Sequence, residues 1–109
     1  MVRFPFTDVS GAKVRPALIV QNDRDNQRLR KTVVAMITGN LRRLADASHL
    51  LIDTATPDGV SSGLKVPSLI SCNNLFTLEQ NDILRSIGHL SDVLMSRLND
   101  CLKAALEVS

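Results

Sequence analysis

The chain has no tryptophan and no tyrosine, and its aromatic residues are three phenylalanines, Phe4, Phe6 and Phe76. A core built from it is aliphatic, and the extended stacking platform on which many single-strand binders lay successive bases is excluded. Any nucleic acid has to be recognised by hydrogen bonds and charge. Cysteine is nearly as scarce: Cys72 and Cys101 stand far apart in apolar patterns, without the paired spacing of a zinc or redox centre, so reduced core thiols are expected. No apolar run approaches the roughly 20 residues of a membrane span, and the first residues lack a signal-type pattern, so the expectation is a cytosolic protein with no membrane partner. No His, Cys or carboxylate cluster has ligand spacing, so neither a metal nor a cofactor is expected.

What is present suits one compact domain spanning residues 1–109, with 44% hydrophobic residues and a mean hydropathy of +0.06. The net charge of +2 conceals an asymmetry. Residues 1–45 carry nine Lys and Arg against three Asp and Glu, whereas residues 46–109 carry four against eight. The amino-terminal half suits a polyanionic partner near Arg15, Arg24, Arg28, Arg30, Lys31, Arg42 and Arg43; exposed charge is equally the ordinary means of keeping a small domain soluble.

Strands are predicted at Val2 to Phe6 and Ala17 to Val20, joined as a hairpin by the Asp8 to Lys13 loop with its Asp, Ser and Gly. The polar stretch Asn22 to Lys31 reads as a loop, and Thr32 to Thr38 is β-branched and apolar enough for a central strand. Further strands are expected at His49 to Asp53 and Ser68 to Cys72, with turns at Pro57-Asp58-Gly59 and Ser61-Ser62-Gly63. Thr77 and Gln80 have the spacing of a capping box for a short helix through Ile83, Leu84 and Ile87 that stops at Gly88. Ser91 then caps a longer helix whose Leu94, Leu98, Cys101, Leu102, Ala105 and Leu106 share one face. That face can cover the small sheet or meet a second copy of the chain.

One arginine stands out. Pro16 fixes its own φ and pushes Arg15 towards extended backbone, so Arg15 is presented from a rigid element beside the Gly11 loop, at the entry to the apolar run Ala17 to Val20. That is how a phosphate-binding or charge-stabilising group is fixed.

The order F-P-F-T-D-x-S-G-x-K-x-R-P-A-L-I-V at Phe4 to Val20 and V-V-A-M-I-T at Val33 to Thr38 resembles the MazF/PemK family of toxins. The likeness continues through Pro67 to Leu78 and Ile87-Gly88-His89-Leu90-Ser91, and so covers nearly the whole chain. It implies a mainly β (α+β) fold, a small SH3-like antiparallel barrel of the MazF, CcdB and Kid type with a short helix and a carboxy-terminal helix. It further implies the toxin of a type II toxin–antitoxin system, serving bacterial growth control as a homodimer. Such a toxin is a metal-independent endoribonuclease on single-stranded RNA, and its antitoxin has a flexible carboxy-terminal segment.

By the same resemblance Arg15 and Thr38 match the family's catalytic arginine and threonine. Arg15 would stabilise the added charge on the phosphoryl oxygens and Thr38 would donate to a non-bridging oxygen. Thr38 is also a β-branched residue that any strand favours. Thr7 and Ser10 can contact phosphate from the first loop, although Ser beside Gly is first of all turn chemistry, and Asn22 and Asn40 have the same two readings. Arg24 and Arg28 can clamp backbone phosphates or remain solvated.

The chain departs from the family where many members read R-C-D-Q-x-R and this one has Ser71, Cys72, Asn73, Asn74, Leu75 and Phe76. A carboxylate and two arginines are lost, and an amide exchanges no proton near neutral pH, so activity rests on Arg15 and Thr38 or is weak. Asn74 can still read a base edge. The family's residues before the first strand, a Gly-Asp pair among them, have no counterpart ahead of Met1, so that strand is expected to be short. His49 and His89 invite a ribonuclease-like acid–base pair, but both stand at common structural positions and match neither family residue. The alternative to an enzyme is an interaction protein of the same fold: a CcdB-like gyrase inhibitor, or a degenerate toxin that binds only antitoxin or nucleic acid. The charge gathered around Arg15 favours RNA.

Overall fold

The strand Lys31–Thr38, β4 in chain order, is apolar and β-branched along most of its length, and a sheet grows on both its edges. In a computed structural model describing residues 1–4, 13–20 and 23–106, that sheet is antiparallel throughout, with strand order β3-β4-β6-β5. Here β3 is Ala17–Ile19, β5 is His49–Ile52 and β6 is Ser68–Glu79. The sheet curls into a half-barrel, and a separate two-stranded ribbon pairs β1, Val2–Phe4, with β2, Lys13–Arg15. Among the described residues three α-helices complete the fold: α1 at Asp23–Arg28, α2 at Pro57–Ser61 and α3 at Asp92–Leu106.

Alternation assigns the two faces of the sheet. Ala35 and Ile37 of β4 face one side, together with Leu50, Ile52, Ile70 and Cys72, and α3 covers them with Leu94, Leu98 and Cys101. Val34 and Leu78 form a smaller core on the opposite side with Ala17, Met36, Phe76 and Ile83 around it. The apolar stripe of α3 is thus covered by its own sheet. Ser91 caps it as expected, its hydroxyl accepting from the Leu94 amide at 3.3 Å.

The long strand β6 overturns one predicted element. Leu75 to Glu79 pair with Ala35 to Lys31, so Thr77 is a strand residue rather than a helix cap, and only a 3₁₀ turn at Gln80–Asp82 follows. The Gln80 side chain instead donates to the carbonyls of Asn26 and Leu29, at 2.6 and 2.7 Å. Those bonds, and Thr32 Oγ1 to Asn26 Oδ1 at 2.6 Å, support α1 where a loop was expected. Helix α2 replaces the turn expected at Pro57-Asp58-Gly59, while a turn at Ser62 and Gly63 follows it as expected; Thr56 caps the helix by accepting from Gly59 N at 3.0 Å, and Pro57 sits in its first turn. The expected hairpin also changes partner. Strand β1 pairs with β2, while Pro16, which has no N–H to give a ladder, separates β2 from β3, and β3 joins the other sheet.

Residues 84–90 run as an irregular strap against the end of α2, where His89 N donates to Ser61 O at 3.0 Å. Gly63 makes this approach possible. Its φ is +76°, and a Cβ there would run into the Ile87 carbonyl. Gly63→Ala should therefore lower stability by about 1–3 kcal/mol from the left-handed backbone alone, read as a fall in the urea midpoint at unchanged m-value.

Burial pushes the Cys72 thiol up to about 11, helped by Cys101 and the hydrogen bond shared with it; Cys101 is raised too, by burial first and Asp100 second. Iodoacetamide at mildly alkaline pH should alkylate Cys72 at least about a hundredfold more slowly in the native protein than in urea, because the thiolate is the nucleophile.

Candidate nucleic-acid interface

The register of β4, β6 and β5 lines up residues on the face away from α3. Ser71 stands between Met36 and His49, and Leu69 between Thr38 and Leu51. Met36, Thr38, Leu69, Ser71 and His49 contribute to a cavity of about 290 Å³ completed by Asn40, Arg42, Arg43 and Asn74. A second cavity, about 400 Å³, adjoins it at Thr38 and is lined by Arg15, Pro16, Gly39, Lys65 and Arg85 among others. Thr38 borders both.

Arg15 and Thr38 are thus brought together, one from the end of β2 and the other from the end of β4. Thr38 Oγ1 accepts from Asn40 N at 3.1 Å and Asn40 Oδ1 accepts from Arg42 N at 3.0 Å. This chain of side-chain to backbone bonds ends β4 and orders the turn that carries Arg42 and Arg43. Asn40 and Asn74 share the smaller cavity with Thr38. Arg24 and Arg28 lie on α1 and line neither cavity; Arg28 meets Asp25 at 3.3 Å in an exposed pair of small energetic weight. Thr7, Ser10 and Asn22 lie outside the described residues.

Between Ala35 and Met36 the β4–β6 register jumps: Ala35 faces Leu75 while Met36 faces Ser71. Residues Cys72, Asn73 and Asn74 therefore form a bulge, anchored by Cys72 N donating to Ser48 O at 2.9 Å. Both asparagines are exposed on it, whereas Ser71 is 2% exposed. Ser71 Oγ donates to Asn73 Oδ1 at 2.7 Å, accepts from Asn74 Nδ2 at 2.9 Å and meets His49 Nε2 at 3.1 Å. The His49 side chain is only 4% exposed, and its Nδ1 faces Ser48 Oγ at 3.3 Å and Asp46 Oδ2 at 3.8 Å.

Sequence reasoning set His49 aside, counted Ser71 only as a lost arginine, and did not single out Lys65 or Arg85. The signal for His49 lay in the alternation of β5, but it becomes readable only once β5 is known to pair with β6 so that His49 faces Ser71. Arg42 and Arg43 were noted as charge and not as walls of a cavity.

A family model described as the PemK-like, MazF-like toxin of type II toxin–antitoxin systems matches residues 1–106. Endoribonuclease MazF3 of Mycobacterium tuberculosis is 36% identical over 78 residues, 72% of this chain and 68% of that protein. Endoribonuclease EndoA of Bacillus subtilis is 28% identical over 93 residues, 85% of this chain and 76% of that protein. Among solved structures, Mycobacterium tuberculosis toxin MazF-mt6 superposes with a TM-score of 0.76 at 26% identity, over 100% of this chain and 99% of that one.

Proposed function

The chain belongs to the PemK-like, MazF-like toxins of type II toxin–antitoxin systems, and we propose that it is an endoribonuclease acting on single-stranded RNA without a metal. The observation that carries this reading is the cavity that Arg15 and Thr38 share at the ends of two strands. The names of the relatives support it, since both MazF3 and EndoA are endoribonucleases. They favour cleavage over the gyrase-inhibitor alternative.

In the proposed reaction the ribose 2′-oxygen attacks the adjacent phosphorus and loses its proton as the new P–O bond forms. The bond from phosphorus to the 5′-oxygen breaks, and that oxygen takes up a proton. The products are a 2′,3′-cyclic phosphate and a 5′-hydroxyl. Arg15 stabilises the charge that grows on the non-bridging oxygens, and its fixed position on the strand end means little rearrangement is needed in the transition state. Thr38 donates its hydroxyl hydrogen to one of those oxygens; the same Oγ1 accepts from Asn40 N, which holds the hydroxyl in place. Arg15 is not the general base, since a guanidinium has a pKa above about 12, so the 2′-hydroxyl proton passes to another acceptor.

Arg42, Arg43, Lys65 and Arg85 around the two cavities suit the flanking phosphates of the strand. In the same reading an antitoxin covers the site when the system is silent; membership of a toxin–antitoxin family supports such a partner. The same reading includes a homodimer, for which α3 keeps Val93 and Met95 exposed beside its buried stripe.

Purified protein should cut a long RNA in EDTA and leave cyclic-phosphate ends. Arg15→Ala should slow cleavage by roughly 10²–10³-fold, the usual scale for one transition-state donor, and Thr38→Ala by a smaller factor. Intact RNA with folded, antitoxin-free protein would overturn the proposal.

A further inference from the structure

The bulge in β6 sets two exposed amides beside the cavity that Thr38 borders, and a buried hydroxyl joins them to a buried imidazole. We propose that His49 is a positioning residue that locks Asn74, through Ser71, as the reader of one unpaired base next to the cut, an inference that rests on the reading of the chain as an RNA-cleaving toxin.

The protons can be counted. Ser71 has one hydroxyl hydrogen, and Asn73 Oδ1, which can only accept, receives it at 2.7 Å. Asn74 Nδ2, which can only donate, fills one lone pair at 2.9 Å. Towards His49 Nε2, 3.1 Å away, Ser71 therefore has only a lone pair to offer, so Nε2 carries the hydrogen. On the other side of the ring, His49 Nδ1 lies 3.3 Å from Ser48 Oγ. Every hydrogen-bonding position of Ser71 is used.

With Nε2–H on one lone pair, Ser71 has one hydrogen and one lone pair left for two amides, so Asn73 and Asn74 must present opposite ends to it. Asn74 cannot turn over alone, because its Oδ1 would need the hydrogen that Asn73 holds. Without the Nε2–H of His49, the second lone pair is open, both amides can donate at once, and their orientations uncouple. Held as it is, Asn74 keeps Oδ1 and a second N–H beyond the bond to Ser71, an acceptor and a donor with which to meet the edge of a base. Arg42 and Arg43 on the same cavity supply the charge for the adjoining phosphates. At about 290 Å³ the cavity matches one nucleotide rather than a duplex.

The test measures base preference apart from cleavage. Short 2′-O-methyl RNAs, which lack the attacking hydroxyl, carry one varied base at a time in a uridine background, and binding is followed by fluorescence anisotropy beside cleavage of the matching unmodified RNAs. Wild type should separate its best and worst base at one position by about tenfold or more. His49→Leu should compress that spread several-fold, and His49→Gln, which keeps an N–H donor, should retain most of it. Asn74→Asp, at an exposed position, presents acceptors alone and should move the preference to guanine, whose N1–H and N2–H face outward together. Unchanged ratios in folded His49→Leu, an unchanged ranking in Asn74→Asp, or no preference in wild type would each overturn the proposal; should His49→Leu not fold, Asn74→Asp decides. Uncut RNA with the expected binding pattern would remove the nuclease reading and leave the base reader standing. Efficient cleavage with ratios unmoved by the variants would do the reverse.

Discussion

The antiparallel pairing of β4 with β6, interrupted once, is the constraint from which the rest of the structure follows. On both sides of the interruption the ladder is regular, and at the interruption three residues of β6 have no partner on β4. Because side chains alternate, inserting an odd number of residues exchanges the faces. Ile70, before the bulge, and Cys72, its first residue, lie under α3, whereas Leu75 takes that role after it and Phe76 and Leu78 turn to the other core. One irregularity therefore lets a single strand serve two cores. It also lifts Asn73 and Asn74 out of the ladder.

Polar groups on the face opposite α3 are tolerated because they satisfy one another. Ser71 and the His49 side chain are almost fully buried, and each of their hydrogen-bonding atoms has a partner. A half-satisfied cluster at this depth would cost more than an apolar one. Ser71 and Asn73 thus belong to a closed hydrogen-bonded network with His49 and Asn74.

The central strand and the helix that begins after Ser91 were legible in the sequence, because each rests on local signals, a β-branched run and a cap; Arg15 and Thr38 were linked only through the family resemblance, since nothing local places them together. Misreadings arose where distant partners decide. Thr77 and Gln80 have the spacing of a helix start, yet strand pairing with β4 and the two carbonyls near α1 outbid it. Helix α2 was hidden by Gly59, which looks like a turn residue and is in fact buried in a short helix capped by Thr56. His49 was undervalued because its partner is on another strand.

The order in which these parts leave the ribosome has its own consequence. Strand β4 ends at Thr38, but its partner β6 runs to Glu79 and the helix that closes the core reaches Leu106. Contacts of such sequence separation form late, once the intervening loops have been closed. A nascent chain carrying both Arg15 and Thr38 therefore lacks the scaffold that brings them together until nearly all of it has been made.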